Sequence, residues 1–579
     1  MKPTLQISQY LIEKLSRITE PKFAKLYGVF FDNMTILLAV QMDSMLVNDL
    51  EYCLPTEFDL YGIVEISNKK INQSEIVKKL QQEVDVTDNP IFLSCGVENI
   101  NEITAYILIH GQLQETSFKV VSEKEIYEHL MYVRLTGTLP ITCNAERSSY
   151  DEAILDLRNT VTSGKLAFNI VGSPIYLLGN ETETGNSNGE PTFSDIFKHS
   201  NEINACERKK NNWSSPYIIN MKIMKKVSKD NTLSGDKEQH APICFLTKKQ
   251  KKTAFIPVKI DVLSLISKQT SLIRLYAILV ESILKNLKAY HLTLLKNLTE
   301  KDALVVPECY HFYPINCGHF ISVWMPTGVD QGKFEPSRRA LHKQFLLPMQ
   351  RPLFRRENRY SFQNSALEDG PLVNPHEVLK NTNNDGKVAL VKGKYSYYHY
   401  NQNNINDSGW GCAYRSLQTL ASWFKWQGYV DREVPTFEEI QKCLVDIGDK
   451  PVSFIGSRQW IGSMEVNFVL NSLLGVTCRI INVSNGLEMA YEGPQLVRHF
   501  EEYGTPIMIG GGNLAHTILG VDYNEGTGNI KFLILDPHYV GPEDLNVIQT
   551  KGWCGWKGLE FWSKTSYYNM CLPLVPTGI

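Results

Sequence analysis

From Gly179 to about Ala241 the chain gives up most of its aliphatic residues in favour of Asn, Glu, Thr, Ser, Gly and Lys, and a run of that kind cannot be threaded through a packed interior. No single core can then span the chain, which at 579 residues is already long for one. The break predicts an N-terminal α/β domain over 1–178, then a polar linker or insertion over 179–241 in which Tyr217 to Met224 can form a brief ordered element. A helical end of the N-terminal region follows over 242–304, a connecting segment over 305–373, and a dense, turn-rich domain over 374–579.

In the first domain the short apolar runs Tyr27 to Phe31, Thr35 to Val40, Ile91 to Cys95 and Thr104 to Ile109 read as strands. Asp261 to Leu298 contains no Gly or Pro and reads as a long helix or helical hairpin. Leu272, Leu275, Ile278, Leu279 and Ile283 make its core-packing stripe.

Composition excludes several classes of function. A net charge of -3 gives no electrostatic reason to expect nucleic acid. The cluster Lys248, Lys249, Lys251 and Lys252 reads as a solvated turn. The apolar stretch Val29 to Val40 is broken by Asp32 and Asn33 and is far short of a bilayer span, and the first twenty residues lack the apolar region of a secretory signal. The chain is therefore expected in the cytosolic or nuclear space, or on a membrane face through a partner. Its 12 cysteines contain no C-x-x-C pair and no Cys/His cluster at zinc spacing, so reduced thiols, no structural metal and no cofactor are expected.

One cysteine stands apart. In Asp407-Ser408-Gly409-Trp410-Gly411-Cys412-Ala413-Tyr414-Arg415 the glycines allow a tight loop, and after Cys412 the residues Ala413, Leu417, Leu420, Ala421 and Phe424 recur at helical spacing as one apolar face. Cys412 is thus predicted at a helix N-terminus, where unpaired amides and the helix dipole favour the nucleophilic thiolate. Its own amide points toward the place where an acyl oxyanion would form. Most lone cysteines are buried and inert, so the partners decide.

A thiolate protease needs an imidazole beside the sulfur and a group that orients the ring. Downstream of Cys412 the histidines are His499, His516 and His538. His499 falls in a predicted helix, Gln495 to Glu502, and reads as structural. His516 opens a strand-like run after the glycines Gly510 to Gly512, and His538 follows the apolar strand Phe532 to Leu535 across Asp536 and Pro537. In extended chain, residues two apart share a face, so Asp536 can orient His538. Asp536 can equally orient His516 from the neighbouring strand. Chemistry alone leaves the two histidines level.

Taken together, Gly409 to Thr419, Gly456 to Ser463, Gly510 to Gly512, Ala515 to Val521, Asp536 to Tyr539 and Gly552 to Gly558 resemble the cysteine proteases specific for ubiquitin-fold modifier, most closely their larger, two-part members. The resemblance runs from about Val306 to the C-terminus. It implies an α+β architecture: a papain-like catalytic domain preceded by a non-catalytic, MPN-like α/β domain. It implies Cys412 as nucleophile, His538 as base, Asp536 as its orienter, and the Tyr400 hydroxyl as an oxyanion donor, with His516 a neighbour of the site. The implied activity is cleavage after the C-terminal glycine of ubiquitin-fold modifier, maturing its precursor and releasing it from target proteins. Trp410 and Trp460 are expected to wall the cleft that takes the glycine tail. An endoplasmic-reticulum membrane adaptor of the Odr-4 type is the implied partner, which places the chain in the cytoplasm and at that membrane's cytosolic face. Residues 1–178 hold no H-x-H pair with a following Asp, so the MPN-like part is expected to lack zinc chemistry.

Two other readings stand beside this one. An autophagy-type cysteine protease shares a Gly-Trp-Gly-Cys segment and an Asp-Pro-His segment, but not the Arg458 to Ser463 or Gly552 to Gly558 stretches. A non-catalytic adaptor would bind modifier or membrane partners through residues 1 to 300.

Overall fold

The computed structural model describes residues 4–576 apart from 19, 43–51, 68–71, 86–88, 97–102, 145–146, 180–190, 198–215, 217, 226–252, 298–304, 350, 363–369, 378 and 380–385. The lysine cluster at 248–252 and most of the polar stretch lie outside the described residues. The chain divides into two compact units, Met1–Leu347 with Arg359–Asn364, and Pro348–Asn358 with Ser365–Ile579.

Two sheets and a hairpin make up the first unit. An eight-stranded sheet runs in the order 112–116, 103–109, 91–95, 59–66, 22–31, 34–42, 4–8, 118–121, and takes in all four strands expected from sequence. A five-stranded sheet is dominated by Leu130–Asn144 and Thr253–Ser267, which pair antiparallel along their whole length. The brief element expected at Tyr217 to Met224 is a strand, Ile218–Lys225, between 130–144 and 166–170. The polar stretch therefore interrupts a sheet and does not separate two folding units.

The helix expected from Asp261 starts later, at Leu272, and runs unbroken to Asn297. Residues 253–267 are strand because their pattern has a period of two: Ile256, Val258 and Ile260 are buried while Phe255, Pro257 and Lys259 face out. Pro257 also sits poorly in a helix interior. Beyond Val262 the strand is covered on both faces, which removes the alternation and leaves an apolar run that periodicity cannot tell from a helix. Of the expected stripe, Leu275, Ile278, Leu279 and Ile283 are buried.

The second unit is one antiparallel sheet wrapped by helices. Its elements are β1 (Lys387–Leu390), α1 (Cys412–Trp426), α2 (Phe437–Asp446), α3 (Ser463–Leu474), β2 (Cys478–Val483), α4 (Gly493–Glu502), β3 (Ile507–Gly511), β4 (Leu514–Tyr523), β5 (Ile530–Leu535), α5 (Leu545–Thr550), β6 (Cys554–Lys557) and β7 (Tyr568–Pro573). The strands run β2-β7-β3-β4-β5-β6, and β1 takes up the edge of β4 where β3 leaves it.

Helix α1 is the centre of this unit. The sequence predicts one apolar face, yet every residue from Ala413 to Phe424 is buried, polar ones included. The buried polar side chains are mostly paired: Gln418 donates to the Pro435 carbonyl at 3.0 Å, and Ser422 to the Thr419 carbonyl at 2.6 Å. Helix α2 starts at a full capping box, Thr436 with Glu439. A helix packed on all sides cannot shift or tilt cheaply, so its first residue is fixed in space. Leu420, fully buried at the centre of α1, measures that packing. Leu420→Ala is expected to lower the unfolding free energy by about 2–5 kcal/mol, read by urea denaturation; a loss below about 1 kcal/mol would show that α1 is not held as tightly as described.

Candidate active site

Cys412 is the first residue of α1, and Gly411 occupies the cap without a side-chain hydrogen bond. The turn ahead of it folds onto Asp407, whose carbonyl accepts the Trp410 amide at 3.1 Å and the Gly411 amide at 2.8 Å. Gly409 has φ 83°, a left-handed value that glycine adopts without strain. Gly411 is needed for a different reason: a Cβ there would lie 2.6 Å from the Asp407 side chain.

The histidines arrive from the sheet. β5 ends at Leu535, and Asp536-Pro537-His538 turn off its end toward Cys412. Asp536 Oδ1 accepts both the His538 amide at 3.0 Å and His538 Nδ1–H at 2.6 Å. Nδ1 is thereby committed as a donor, and Nε2 is left for the sulfur. Nε2 has no hydrogen-bond partner of good geometry, yet it lies close enough to Cys412 for each group to shift the other's ionisation. His516, within β4, stands behind Asp536: its Nε2 is 3.8 Å from Asp536 Oδ2 and its ring centre 5.2 Å from that of His538. It packs against Phe561. His499 Nε2 donates toward Thr505, whose carbonyl lies at 3.1 Å and hydroxyl oxygen at 2.9 Å, and is buried away from this cluster.

Electrostatics separates the two histidines that chemistry left level. Burial disfavours charge on His538, but the Asp536 hydrogen bond and the Cys412 sulfur outweigh it and raise the ring to about 9. His516 is buried more deeply, and that burial lowers it to about 4 despite the attraction of Asp536. Near neutral pH, His538 is the imidazolium and His516 a neutral wall. Cys412 shows the converse balance. Burial alone would raise its thiol, but His538, the Ala515 amide and the Tyr400 hydroxyl together lower it. Asp536 is also lowered: burial opposes its charge and is overcome by the two imidazoles.

Tyr400 closes the site. Its ring meets His538 edge-on at 5.3 Å, its hydroxyl lies at Cys412, and its backbone amide donates to the Pro537 carbonyl at 3.0 Å. Burial raises its phenol, and the neighbouring sulfur raises it further, so the hydroxyl stays protonated as a donor.

A groove of ≈ 260 Å³ opens over Cys412, and Trp410, Trp460, Leu514, Tyr567 and Asn569 are among the residues that line it. Trp460 is 54% exposed. Trp410 is partly anchored in the core by edge-on contacts with Tyr414 and Phe437. His516 is not among the lining residues. His516, Asp536 and His538 each offer a metal-ligating atom within 4.8 Å of the others. The 2.6 Å between His538 Nδ1 and Asp536 Oδ1, however, is hydrogen-bond spacing, and two ligands on one zinc ion would stand about 3.3 Å apart.

Sequence reasoning missed the Ala515 amide, which as backbone has no side-chain signature. It also missed Asp407, although an acidic residue buried beside a Gly-x-Gly turn is the kind of group that fixes a loop.

Comparison with known proteins found family models that match along the chain. Residues 386–571 match the family model described as "Peptidase family C78". Residues 1–126 match "Insect UFM1-specific protease N-terminal MPN-like domain", and 151–367 match "Ubiquitin-fold modifier 1 specific protease 2, N-terminal". "Probable Ufm1-specific protease 2" of Drosophila melanogaster is 38% identical over 610 residues, covering 100% of both chains. "Ufm1-specific protease 2" of Gallus gallus is 44% identical over 433 residues, which is 73% of this chain and 93% of the other. The solved structure "Crystal structure of UfSP from C.elegans" shares the fold, with a TM-score of 0.70 at 24% identity over 100% of both chains.

The pKa shifts fix the sign of two pH dependences. His538, raised to about 9 from an ordinary value of about 6.5, contributes stability fully below that ordinary value and loses it as the pH climbs through about 9. Asp536, lowered, contributes above the ordinary carboxylate value and loses its contribution as the pH falls. Alkylation of Cys412 by iodoacetamide is accordingly expected to persist well below the ordinary thiol value of about 8.5. Asp536→Asn removes the charge that holds His538 protonated and is expected to move the acid limb of that profile upward. An unmoved limb would show that the thiolate does not depend on the Asp536–His538 pair.

Proposed function

The chain belongs to the Ufm1-specific protease 2 family, and from that premise we propose that Cys412, His538, Asp536 and Tyr400 are the groups with which it hydrolyses the bond after the C-terminal glycine of ubiquitin-fold modifier. It is a cysteine protease acting on that modifier, with a C78 peptidase domain preceded by MPN-like N-terminal domains. The observation that carries the residue assignment is the 2.6 Å Asp536–His538 bond, which leaves Nε2 facing a sulfur at a helix start.

Thiolate and imidazolium are already separated before substrate binds, so the attack needs no prior proton transfer. Cys412 Sγ adds to the glycine carbonyl carbon, and the carbonyl π pair moves to oxygen. The Cys412 amide and the Tyr400 O–H donate to that oxyanion. As the tetrahedral adduct collapses, the C–N bond breaks and His538 Nε2–H protonates the departing amine, which leaves a thioester on Cys412 and a neutral imidazole. Nε2 then takes a proton from water, whose oxygen attacks the thioester; the C–S bond breaks, the modifier leaves as a carboxylic acid that gives its proton to solvent, and the thiolate–imidazolium pair is restored. Asp536 keeps the ring oriented throughout.

A C-terminal glycine suits the groove. Gly510 and Gly511 line it together with the two tryptophans, so an extended tail with no side chain at its last residue can lie flat between Trp410 and Trp460. An amide to a precursor extension and an isopeptide to a lysine present the same carbonyl, so one site serves maturation and deconjugation alike. Neither an autophagy-type specificity nor a purely adaptor role is favoured by the family. An Odr-4-type adaptor would bring the enzyme to the cytosolic face of the endoplasmic reticulum; among the described residues no helix is long and apolar enough to cross a membrane.

Incubation with modifier carrying a C-terminal extension should release a product ending in glycine. Cys412→Ser and His538→Ala are each expected to reduce kcat by 10³-fold or more, roughly the scale seen when a member of such a triad is lost. Tyr400→Phe is expected to cost about 10²–10³-fold in kcat with KM little changed. Turnover retained in His538→Ala but lost in His516→Ala would reverse the base assignment. Equal cleavage of autophagy modifiers would contradict the stated substrate.

A further inference from the structure

The loop between Tyr400 and α1 is one a chain does not hold by itself. Asn401, Asn403 and Asn404 have φ of 62°, 59° and 57°, three left-handed residues in four positions with no glycine among them. Asp407 lies inside this loop, and Arg415 lies one turn into α1; both side chains are 0% exposed. Arg415 Nε donates to Asp407 Oδ2 at 2.7 Å. The rest of the guanidinium donates to the Gln402 carbonyl at 2.8 Å and to Asn403 Oδ1 and Gln418 Oε1, each at 3.2 Å. Asp407 Oδ1 accepts the Asn401 amide at 2.8 Å, while its carbonyl holds the two amides that precede Cys412.

The partners form a pattern. Two consecutive peptide amides tie the loop in opposite directions: that of Tyr400 to the Pro537 carbonyl beside His538, and that of Asn401 to Asp407 beneath Cys412. Tyr400 is thereby suspended between the segment of the base and the segment of the nucleophile. A fully buried ion pair is poor value as a stabiliser, because desolvation offsets its attraction. Its strength is geometric, since a planar guanidinium with several fixed acceptors tolerates little displacement.

We propose that the Asp407–Arg415 ion pair is a positioning clamp for the hydrolysis: it sets the Tyr400 hydroxyl beside the Cys412 amide so that both oxyanion donors are in place before substrate arrives. The proposal rests on the assignment of Cys412 and Tyr400 made above. Neither charged residue touches the reacting atoms. Both act through the loop they fix, and an oxyanion donor displaced by a fraction of an ångström loses most of its effect.

The test uses the full chain, with modifier bearing a C-terminal extension as substrate and iodoacetamide as a probe of the thiolate. Arg415→Lys keeps the charge but not the planar fork, and Asp407→Asn keeps the shape but not the charge. In each, kcat is expected to fall by about 10- to 100-fold with KM within about twofold, while Cys412 alkylation still persists below the ordinary thiol range, because His538 and the Ala515 amide continue to lower the thiol. The loss is also expected to be non-additive with Tyr400→Phe: in that background Arg415→Lys should cost less than about threefold. If Asp407→Asn does not fold, Arg415→Lys carries the decision. Wild-type kcat in Arg415→Lys, its full loss repeated in the Tyr400→Phe background, or loss of alkylation together with turnover would each overturn the clamp. A wild-type chain that does not cleave the modifier at all overturns the functional reading, and the clamp with it.

Discussion

The hydrogen bond from His538 Nδ1 to Asp536 Oδ1, 2.6 Å long, is the interaction on which the proposed chemistry depends. It fixes the tautomer, turns Nε2 to the sulfur and keeps positive charge on a ring that burial would otherwise neutralise. The lowered thiol of Cys412 follows from that charge, helped by the Ala515 amide and by its place at the start of α1. Remove the carboxylate and each later effect weakens in turn. The sheet serves this bond: β4 and β5 run side by side, so His516, Asp536 and His538 are assembled at one end of a single antiparallel pair.

The first unit contains a second perturbed cysteine. Cys317 is fully buried, 3.4 Å from His319 Nε2 and 3.1 Å from Lys14 Nζ. Burial pushes its thiol up, but the neighbouring imidazole and ammonium bring it down to about 6. As an anion it matches Cys412. Its surroundings differ: Cys317 and His319 are both fully buried, and His319 Nδ1 meets the Phe320 carbonyl at 3.1 Å in place of a carboxylate. A low thiol pKa is therefore not sufficient for a protease. What distinguishes Cys412 is a half-open position at the end of a helix, facing a ≈ 260 Å³ groove.

Much of this was legible in the sequence, and the failures have physical causes. Cys412 at a helix start followed from two glycines and a run of helical spacing, because a tight loop entering a packed helix leaves few alternatives. The strand ends that carry His516 and Asp536-Pro537-His538 were also visible as apolar runs closed by polar turns. The choice between His516 and His538 was not, since it turns on how deeply each ring is buried, and burial is a tertiary property. The second half of strand 253–267, from Asp261 on, was taken for helix because it is covered on both faces and loses the alternation that identifies a strand. One apolar face was expected for α1, but a helix at the centre of a domain buries polar residues as well, most of them hydrogen-bonded. Asp407 and Arg415 belong to that group: nothing in their spacing shows that both are fully buried, or that the amides they hold flank Tyr400 and Cys412.

The central claim is that one ionised sulfur, steered by one imidazole, does the work. Covalent capture tests it most directly: the full chain is treated with ubiquitin-fold modifier carrying an electrophile at its C-terminal glycine, and the adduct is located by peptide mapping. A single adduct at Cys412, lost in Cys412→Ser, is the predicted result. Capture at Cys317 or another cysteine, or persistence of the adduct in Cys412→Ser, would contradict the account.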